Sequence, residues 1–264
     1  MIRSYLFVPG ERPDRFQKAW DAGADAVIID LEDGVAPTNK PRARTSIVEW
    51  LSSDRPVYVR VNGPESEWFA DDLAALTNRP GLRGLVLPKV ESVEQIHRVS
   101  ASFPKGIEVL PMLETAKGIF QAAEIAETPG VQRLGFGALD LQADTGIEGD
   151  GEELLYARSR VVLASRAAGI LPPVDSVTVA LDDMQELTGS VRRARRLGFR
   201  AKFCIHPKQI PAVHDGFAPT AAEVAWAKDI LAAASIDQGA IRHLGQMVER
   251  PIIERAKQIL EQTR

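Results

Sequence analysis

Two acidic residues near the middle of the chain each follow a short apolar run. Val109-Leu110-Pro111-Met112-Leu113 leads into Glu114, and Leu134-Gly135-Phe136-Gly137-Ala138-Leu139 leads into Asp140. Such runs are typical of buried parallel strands, so each carboxylate is expected where a strand ends. Mg²⁺ takes one or two carboxylates and completes its octahedron with water and substrate. The pair predicts a divalent-metal site for Mg²⁺, with Mn²⁺ as an alternative; rim salt bridges are the structural alternative.

Further polar residues follow other apolar runs: Asp30, Glu32 and Asp33 after Ala26–Ile29, Arg60 and Asn62 after Val57–Val59, and Lys89 after Leu85–Leu87. A planar guanidinium binds a carboxylate through two parallel hydrogen bonds, so Arg60 is predicted to bind a dicarboxylate substrate. Arg60 and Glu114 are the predicted substrate-binding residues. Glu32 and Asp33 are predicted to orient Arg60 or metal-bound water.

Lys89 has two interpretations. A lysine where a barrel strand ends can form a Schiff base with a ketone, which predicts a lysine Schiff-base aldolase. It can equally neutralise the acids around a metal, in the same supporting role as Glu32 and Asp33. The acid pair already accounts for the site, which favours the second interpretation.

The order of the segments predicts an α/β protein with a (β/α)8 TIM barrel. Eight short apolar segments, from Tyr5–Val8 to Ala201–Ile205, alternate with about eight helical patterns, and no hairpin joins two strands. Right-handed crossovers then close the sheet. The active site of such a barrel lies at the carboxyl ends of the strands, where the predicted residues would meet. The Gly- and Asp-rich segment 140–151 is expected to be a lid or binding loop.

The remainder of the chain is expected to lie beyond the barrel. We assign residues 1–217 to the catalytic barrel and 218–264 to a helical extension with two amphipathic helices, Pro219–Ala234 and Pro251–Thr263. The extension is predicted to be a lid or a subunit contact.

Composition restricts the function classes. The chain has 264 residues, 45% of them hydrophobic, and a formal net charge of −4. No apolar run approaches the roughly 20 residues of a membrane span, so neither a membrane nor a nucleic acid is an expected partner. A single cysteine, Cys204, and the lack of a signal peptide predict a cytoplasmic protein.

Several short motifs occur together in order: Arg3–Gly10, Asp30–Val35, Arg60–Asn62, Leu87–Glu91, Glu114–Ala116, Gly137–Leu141 and Ile205–Pro207. Together they resemble the citrate lyase beta subunit family, which includes malyl-CoA lyases and related aldolases. The resemblance covers nearly the whole chain.

This resemblance implies a Mg²⁺-dependent carbon–carbon lyase that cleaves or forms a citryl- or malyl-type 3-hydroxy acyl thioester. The products would be a keto acid and an acyl thioester, carried by CoA or by a carrier protein. It also implies that Glu114 and Asp140 hold the metal, that Arg60 grips the keto-acid carboxylate, and that the assembly is a homotrimer or hexamer.

The chain departs from the family pattern near its end. In the acyl-CoA lyases a C-terminal Met-Ile-Asp or Met-Val-Asp motif supplies a catalytic aspartate to a neighbouring subunit, and here the run is Met247-Val248-Glu249. Glu249 keeps the carboxylate but adds a methylene. We expect Glu249 to exchange a proton with the acyl α-carbon in a neighbour's site, or else to lie in solvent.

A third interpretation belongs to another class. Citrate lyase beta subunits work with partner subunits that present the acyl group on a carrier. The chain could therefore be a ligand-binding subunit that turns over only inside a larger lyase complex.

Overall fold

A computed structural model describes residues 2–103, 106–236, 241–243 and 246–263 of the chain. Among these residues, no helix is both long enough and apolar enough to span a bilayer. The chain divides into two compact units, Ile2–Gly216 and the segment from Phe217 onward.

The first unit is a closed barrel of eight parallel strands in sequential order, so the predicted TIM-barrel fold is confirmed. The strands are β1 (Ser4–Pro9), β2 (Ala26–Asp30), β3 (Val57–Arg60), β4 (Leu82–Leu87), β5 (Glu108–Leu113), β6 (Arg133–Phe136), β7 (Leu171–Asp175) and β8 (Ala201–Cys204). β1 pairs with both β2 and β8, which closes the sheet.

Helices follow the strands around the barrel. They are α1 (Phe16–Trp20), α2 (Lys40–Trp50), α3 (Phe69–Leu76), α4 (Val93–Ser102), α5 (Ala116–Phe120), α6 (Ala122–Glu127), α7 (Ala138–Thr145), α8 (Leu155–Ala167), α9 (Met184–Leu197) and α10 (Ile210–Phe217). The helix expected after β5 is divided into α5 and α6. The prediction of a loop over residues 140–151 is wrong in its first part, because residues up to Thr145 belong to α7.

The barrel interior is filled by side chains that alternate along the strands. The ring of Tyr5 contacts the rings of Tyr58 and Phe203 edge-on there, at centroid distances of 5.6 and 5.9 Å. Aliphatic residues of four other strands complete this core, including Ile28, Val86 and Leu110. The interior is therefore a packed core, and the polar groups of the strand ends lie at one rim above it.

The second unit contains α11 (Ala221–Ile236), a two-stranded antiparallel sheet of β9 (Ile241–His243) and β10 (Gln246–Val248), and α12 (Arg250–Glu261). The two helices were predicted, whereas the two paired strands were missed: each has only three residues, too few for a period-2 pattern. Val248 and the apolar faces of α11 and α12 form one small core. The extension's predicted role as a lid or subunit contact stays a prediction.

Candidate functional site

The register of β2 and β3 places Arg60 beside an acid that the sequence analysis did not assign to the site. Asp30 and Arg60 are register partners and the last residues of their strands. Arg60 donates through Nε and Nη2 to the two oxygens of Asp30, both at 2.7 Å. Its Nη1 lies 3.0 Å from Glu32 Oε2. The outer N–H groups of the guanidinium stay available for a ligand carboxylate.

Burial raises the pKa of Asp30, but Arg60 and the backbone N–H groups of Glu32 and Gly34 outweigh it, so this pKa is lowered. The guanidinium of Arg60 also lies 4.8 Å from the ring of Phe7. The contacts with Asp30 and Phe7 therefore fix the orientation of the guanidinium of Arg60. The signal that could have identified Asp30 was an acid as the last residue of a strand, next in order to a strand ending in arginine.

Lys89 follows β4 and has a left-handed backbone, with φ of 51°. Non-glycine residues rarely adopt this conformation. It directs the backbone N–H of Lys89 to Glu114 Oε1 at 2.8 Å. The ammonium lies 2.5 Å from Glu32 Oε1, 3.3 Å from Asp140 Oδ1 and 3.6 Å from Asp33 Oδ2.

Partial burial lowers the pKa of Lys89, but the hydrogen bond to Glu32 and the charges of Glu32, Glu114 and Asp140 outweigh it. The pKa is therefore raised well above its ordinary value. A Schiff base requires the neutral amine, so this environment disfavours Lys89 as a nucleophile. It fits the interpretation in which Lys89 neutralises acids.

Glu114 follows β5 and is completely buried. Burial and the charges of Asp140 and Glu32 raise its pKa to about 8, against the opposing charges of Lys89 and Arg60. Its Oε2 has no hydrogen-bond partner. A β-carbon on Gly137 would lie 2.3 Å from this oxygen, so only glycine leaves room for it.

Asp140 lies in the first turn of α7, and its side chain is 34% exposed. Asp140 and Glu114 line the same cavity of about 370 Å³. The cavity is also lined by Asp30, Asp33, Arg60 and Ser176, and by the apolar residues Phe7, Met112, Phe136, Val177, Phe203 and Ile205. A small ligand there would meet charged groups and an apolar wall.

We call the residues Asp30, Glu32, Asp33, Arg60, Lys89, Glu114 and Asp140 the rim cluster. When they are fully ionised, its five carboxylates face two cations; the nearby buried Lys40 donates to the carbonyls of Leu31 and Glu32 and to Asn62, and not to these carboxylates. A divalent cation would compensate most of this excess, and hard carboxylate oxygens are suitable ligands. The buried oxygen of Glu114 without a partner fits such an ion. Among the described residues, no group of three or more His, Cys, Asp or Glu side chains could hold a metal, so a site here would rest on two carboxylates.

A second group of charges surrounds Asp175, the last residue of β7, and its register partner Lys202 in β8. We call it the buried network: Asp150, Arg158, Asp175, Arg193 and Lys202. Arg158 donates through Nε to Asp175 at 2.9 Å, and through Nη2 to Asp150 at 2.5 Å. The side chains of Arg158, Asp175 and Lys202 are at most 1% exposed.

The structure thus brings together six of the seven predicted site residues: Glu32, Asp33, Arg60, Lys89, Glu114 and Asp140. Their individual roles stay predictions. The seventh, Glu249, belongs to the second unit, where it is exposed and immediately precedes α12. Pro251 lies at the start of α12, as expected, but the segment before Glu249 is β10 and not a simple linker.

Comparison with known proteins identifies the family. The model of the HpcH/HpaI aldolase/citrate lyase family matches residues 3–207. The chain belongs to this family. The citrate lyase subunit beta-like protein of Deinococcus radiodurans is 39% identical over 277 residues, which cover 98% of this chain and 96% of that protein.

Two further relatives have named ligands or substrates. CitE of Mycobacterium tuberculosis, in a crystal structure with magnesium, acetoacetate and coenzyme A, superposes with a TM-score of 0.88 at 36% identity, covering 98% of this chain and 97% of that one. The L-malyl-CoA/beta-methylmalyl-CoA lyase of Cereibacter sphaeroides is 32% identical over 301 residues, covering 98% of this chain and 94% of that protein. The predicted family and the carbon–carbon lyase class are therefore confirmed.

Proposed function

We propose that this protein is a Mg²⁺-dependent carbon–carbon lyase for citryl- or malyl-type 3-hydroxy acyl thioesters. The observation that carries the proposal is the excess of carboxylate in the rim cluster, beside an arginine with free N–H groups. The names of the family members and the magnesium, acetoacetate and coenzyme A bound to CitE support it.

Each residue of the site has a proposed role. Glu114 and Asp140 hold Mg²⁺ or Mn²⁺, which when bound polarises a substrate oxygen as a Lewis acid. Arg60, fixed from behind by Asp30, binds the carboxylate of the keto-acid portion through its outward N–H groups. Glu32 orients Arg60 and, with Asp33, holds the ammonium of Lys89. In cleavage the hydroxyl loses its proton and becomes the keto oxygen as the bond from its carbon to the acyl α-carbon breaks. The electron pair of that bond passes to the acyl thioester as an enolate, and the α-carbon then takes up a proton.

The experiment measures turnover of a panel of citryl- and malyl-type CoA thioesters by the purified protein. Activity should disappear with a chelator and return with Mg²⁺, and Arg60→Lys should raise KM, because lysine cannot reproduce the two-pronged contact. Arg12→Lys, at an exposed ion pair, is the matched control. Full activity in the chelator would refute the proposal.

The same assay separates two alternatives. A lysine aldolase would form a borohydride-trapped adduct on Lys89 with a keto acid. A subunit that depends on a larger complex would bind ligand yet fail to turn over free acyl-CoA substrates. The raised pKa of Lys89 keeps its amine protonated, which argues against the lysine aldolase.

We further propose a cytoplasmic homotrimer or hexamer in which Glu249 acts in a neighbouring subunit's site and protonates the α-carbon. The exposed position of Glu249 at the start of α12 supports access to a second molecule. Mixing Glu249→Gln with Arg60→Ala, each inactive alone, should restore activity in hybrid assemblies. Subunit exchange without recovery would count against a shared site, and full activity of Glu249→Gln alone would remove this residue from the mechanism.

A further inference from the structure

A second acid of α7 connects the two predicted metal ligands. Asp144, in the last turn of α7, accepts a hydrogen bond of 2.7 Å from the backbone N–H of Ala116. Ala116 begins α5, two residues after Glu114. Asp140 lies four residues before Asp144, so both acids project from the same face of α7. The hydrogen bond therefore joins α7, which carries Asp140, to the start of α5, two residues after Glu114.

Asp144 does not stabilise its own helix. An acid in the last turn faces the negative end of the helix dipole. Asp140 and Asp144 also form a like-charged pair at i and i+4, which disfavours a helix. The favourable contact of Asp144 is therefore the one between α7 and α5.

The first turn of α7 is held by a different strand. Ser176, directly after β7, accepts through Oγ a hydrogen bond of 2.9 Å from the backbone N–H of Ala138. Ser176 is itself fixed, because the ammonium of Lys202 donates to its carbonyl at 2.6 Å. Both ends of α7 are thus attached, one beside β7 and one beside β5.

We propose that Asp144 and Ser176 are positioning residues that fix α7 and thereby set the separation of Asp140 from Glu114. Asp144 does not line the cavity, whereas Ser176 does, with its Oγ bonded to the backbone N–H of Ala138; both are proposed to act through the placement of Asp140. This inference rests on the proposed metal site.

The test titrates Mn²⁺ into metal-free protein and follows free Mn²⁺ by electron paramagnetic resonance. Asp144→Ala should weaken Mn²⁺ binding by about 2- to 30-fold, the range for loss of a side-chain bond to a helix-terminal N–H. Asp144→Asn keeps an oxygen acceptor for Ala116 and should stay within about 2-fold of wild type. Ser176→Ala should likewise weaken binding, and Ser176→Thr should restore it.

Asp183→Ala is the matched control. Asp183 accepts from the backbone N–H groups of Gln185 and Glu186 at the start of its own helix, α9, and makes no bond to α7 or α5. Its loss should leave Mn²⁺ affinity unchanged.

Each outcome is decisive. Wild-type affinity in Asp144→Ala and Ser176→Ala, in a protein that binds Mn²⁺, would overturn this inference and leave the proposed function standing. Equal weakening in Asp144→Ala and Asp144→Asn would also overturn it, because the loss would then follow charge and not the hydrogen bond. A wild-type protein that binds no Mn²⁺ would overturn the metal site and this inference together.

Discussion

The rim cluster and the buried network are both groups of charged side chains at the strand ends of one barrel, yet they differ in charge balance. In the buried network two carboxylates face three cations, and burial of Asp175 is outweighed by Lys202 and Arg158, so that its pKa is lowered. In the rim cluster five carboxylates would face two cations if all were ionised, and the pKa of Glu114 is raised to about 8. Only the rim cluster faces the cavity of about 370 Å³ described above.

The difference indicates how a structural cluster of charges can be told from a functional one. In the buried network each acid has two cations within 3.5 Å, so the network needs no further cation. A cluster with excess charge of one sign, beside a cavity, is destabilised until a ligand of opposite charge binds. Charge balance, more than the number of ionisable groups, separates the two regions.

Breaking the buried network should have the largest effect on stability. Arg158→Met should lower the free energy of unfolding by about 3–5 kcal/mol, because it leaves the fully buried Asp175 with only Lys202 opposite. Urea denaturation measures this. Arg12→Met, at an exposed pair with Asp14, should leave stability unchanged. A loss below about 1 kcal/mol in Arg158→Met would mean that the buried network contributes little to the stability of the barrel.

Neutralising Glu114 in the rim cluster should raise, and not lower, the free energy of unfolding of the metal-free protein. Folded Glu114 keeps its proton up to pH about 8, whereas the unfolded chain releases it near the ordinary value of 4.5. The folded state binds more protons in this window, so stability falls as pH rises. Glu114→Gln should remove this component while lowering activity at least about 100-fold, as expected for a direct metal ligand.

The measurement is urea denaturation in a chelator at several pH values. The free energy of unfolding of wild type, relative to Glu114→Gln, should fall steadily between pH 4.5 and 8. Taking this difference removes the part of the pH dependence that Glu32, whose pKa burial also raises despite Arg60, contributes independently of Glu114. A difference that does not change with pH would contradict the excess of negative charge around Glu114.

The smallest predicted effect concerns Lys89, the cation nearest to Asp140 in the rim cluster. Lys89→Met should increase the affinity for Mn²⁺ by about 3- to 10-fold, because it removes a positive charge a few ångströms from the metal ligands in a partly solvated site. The Mn²⁺ titration described above measures it. Lys257→Met, at an exposed pair with Glu254, is the control. Unchanged or weaker binding would show that Lys89 does more than neutralise acids.

The sequence determined the barrel and most of the rim cluster for one physical reason. In an alternating β/α chain all parallel strands point the same way, so polar residues that follow apolar runs must meet at one rim. Glu114, Asp140 and Arg60 could be identified from this rule alone. The motifs of the family then added the expected reaction.

Tertiary structure alone decided which rim side chains touch. The bond of Arg60 to Asp30 depends on the register of β2 against β3, and the contact of Lys89 with Glu114 depends on a left-handed backbone that no residue pattern indicates. Asp144 was missed because its partner, Ala116, lies 28 residues away and offers only a backbone N–H. Strand register, loop path and helix placement are set by packing across the whole barrel, and local sequence patterns carry no information about such distant contacts.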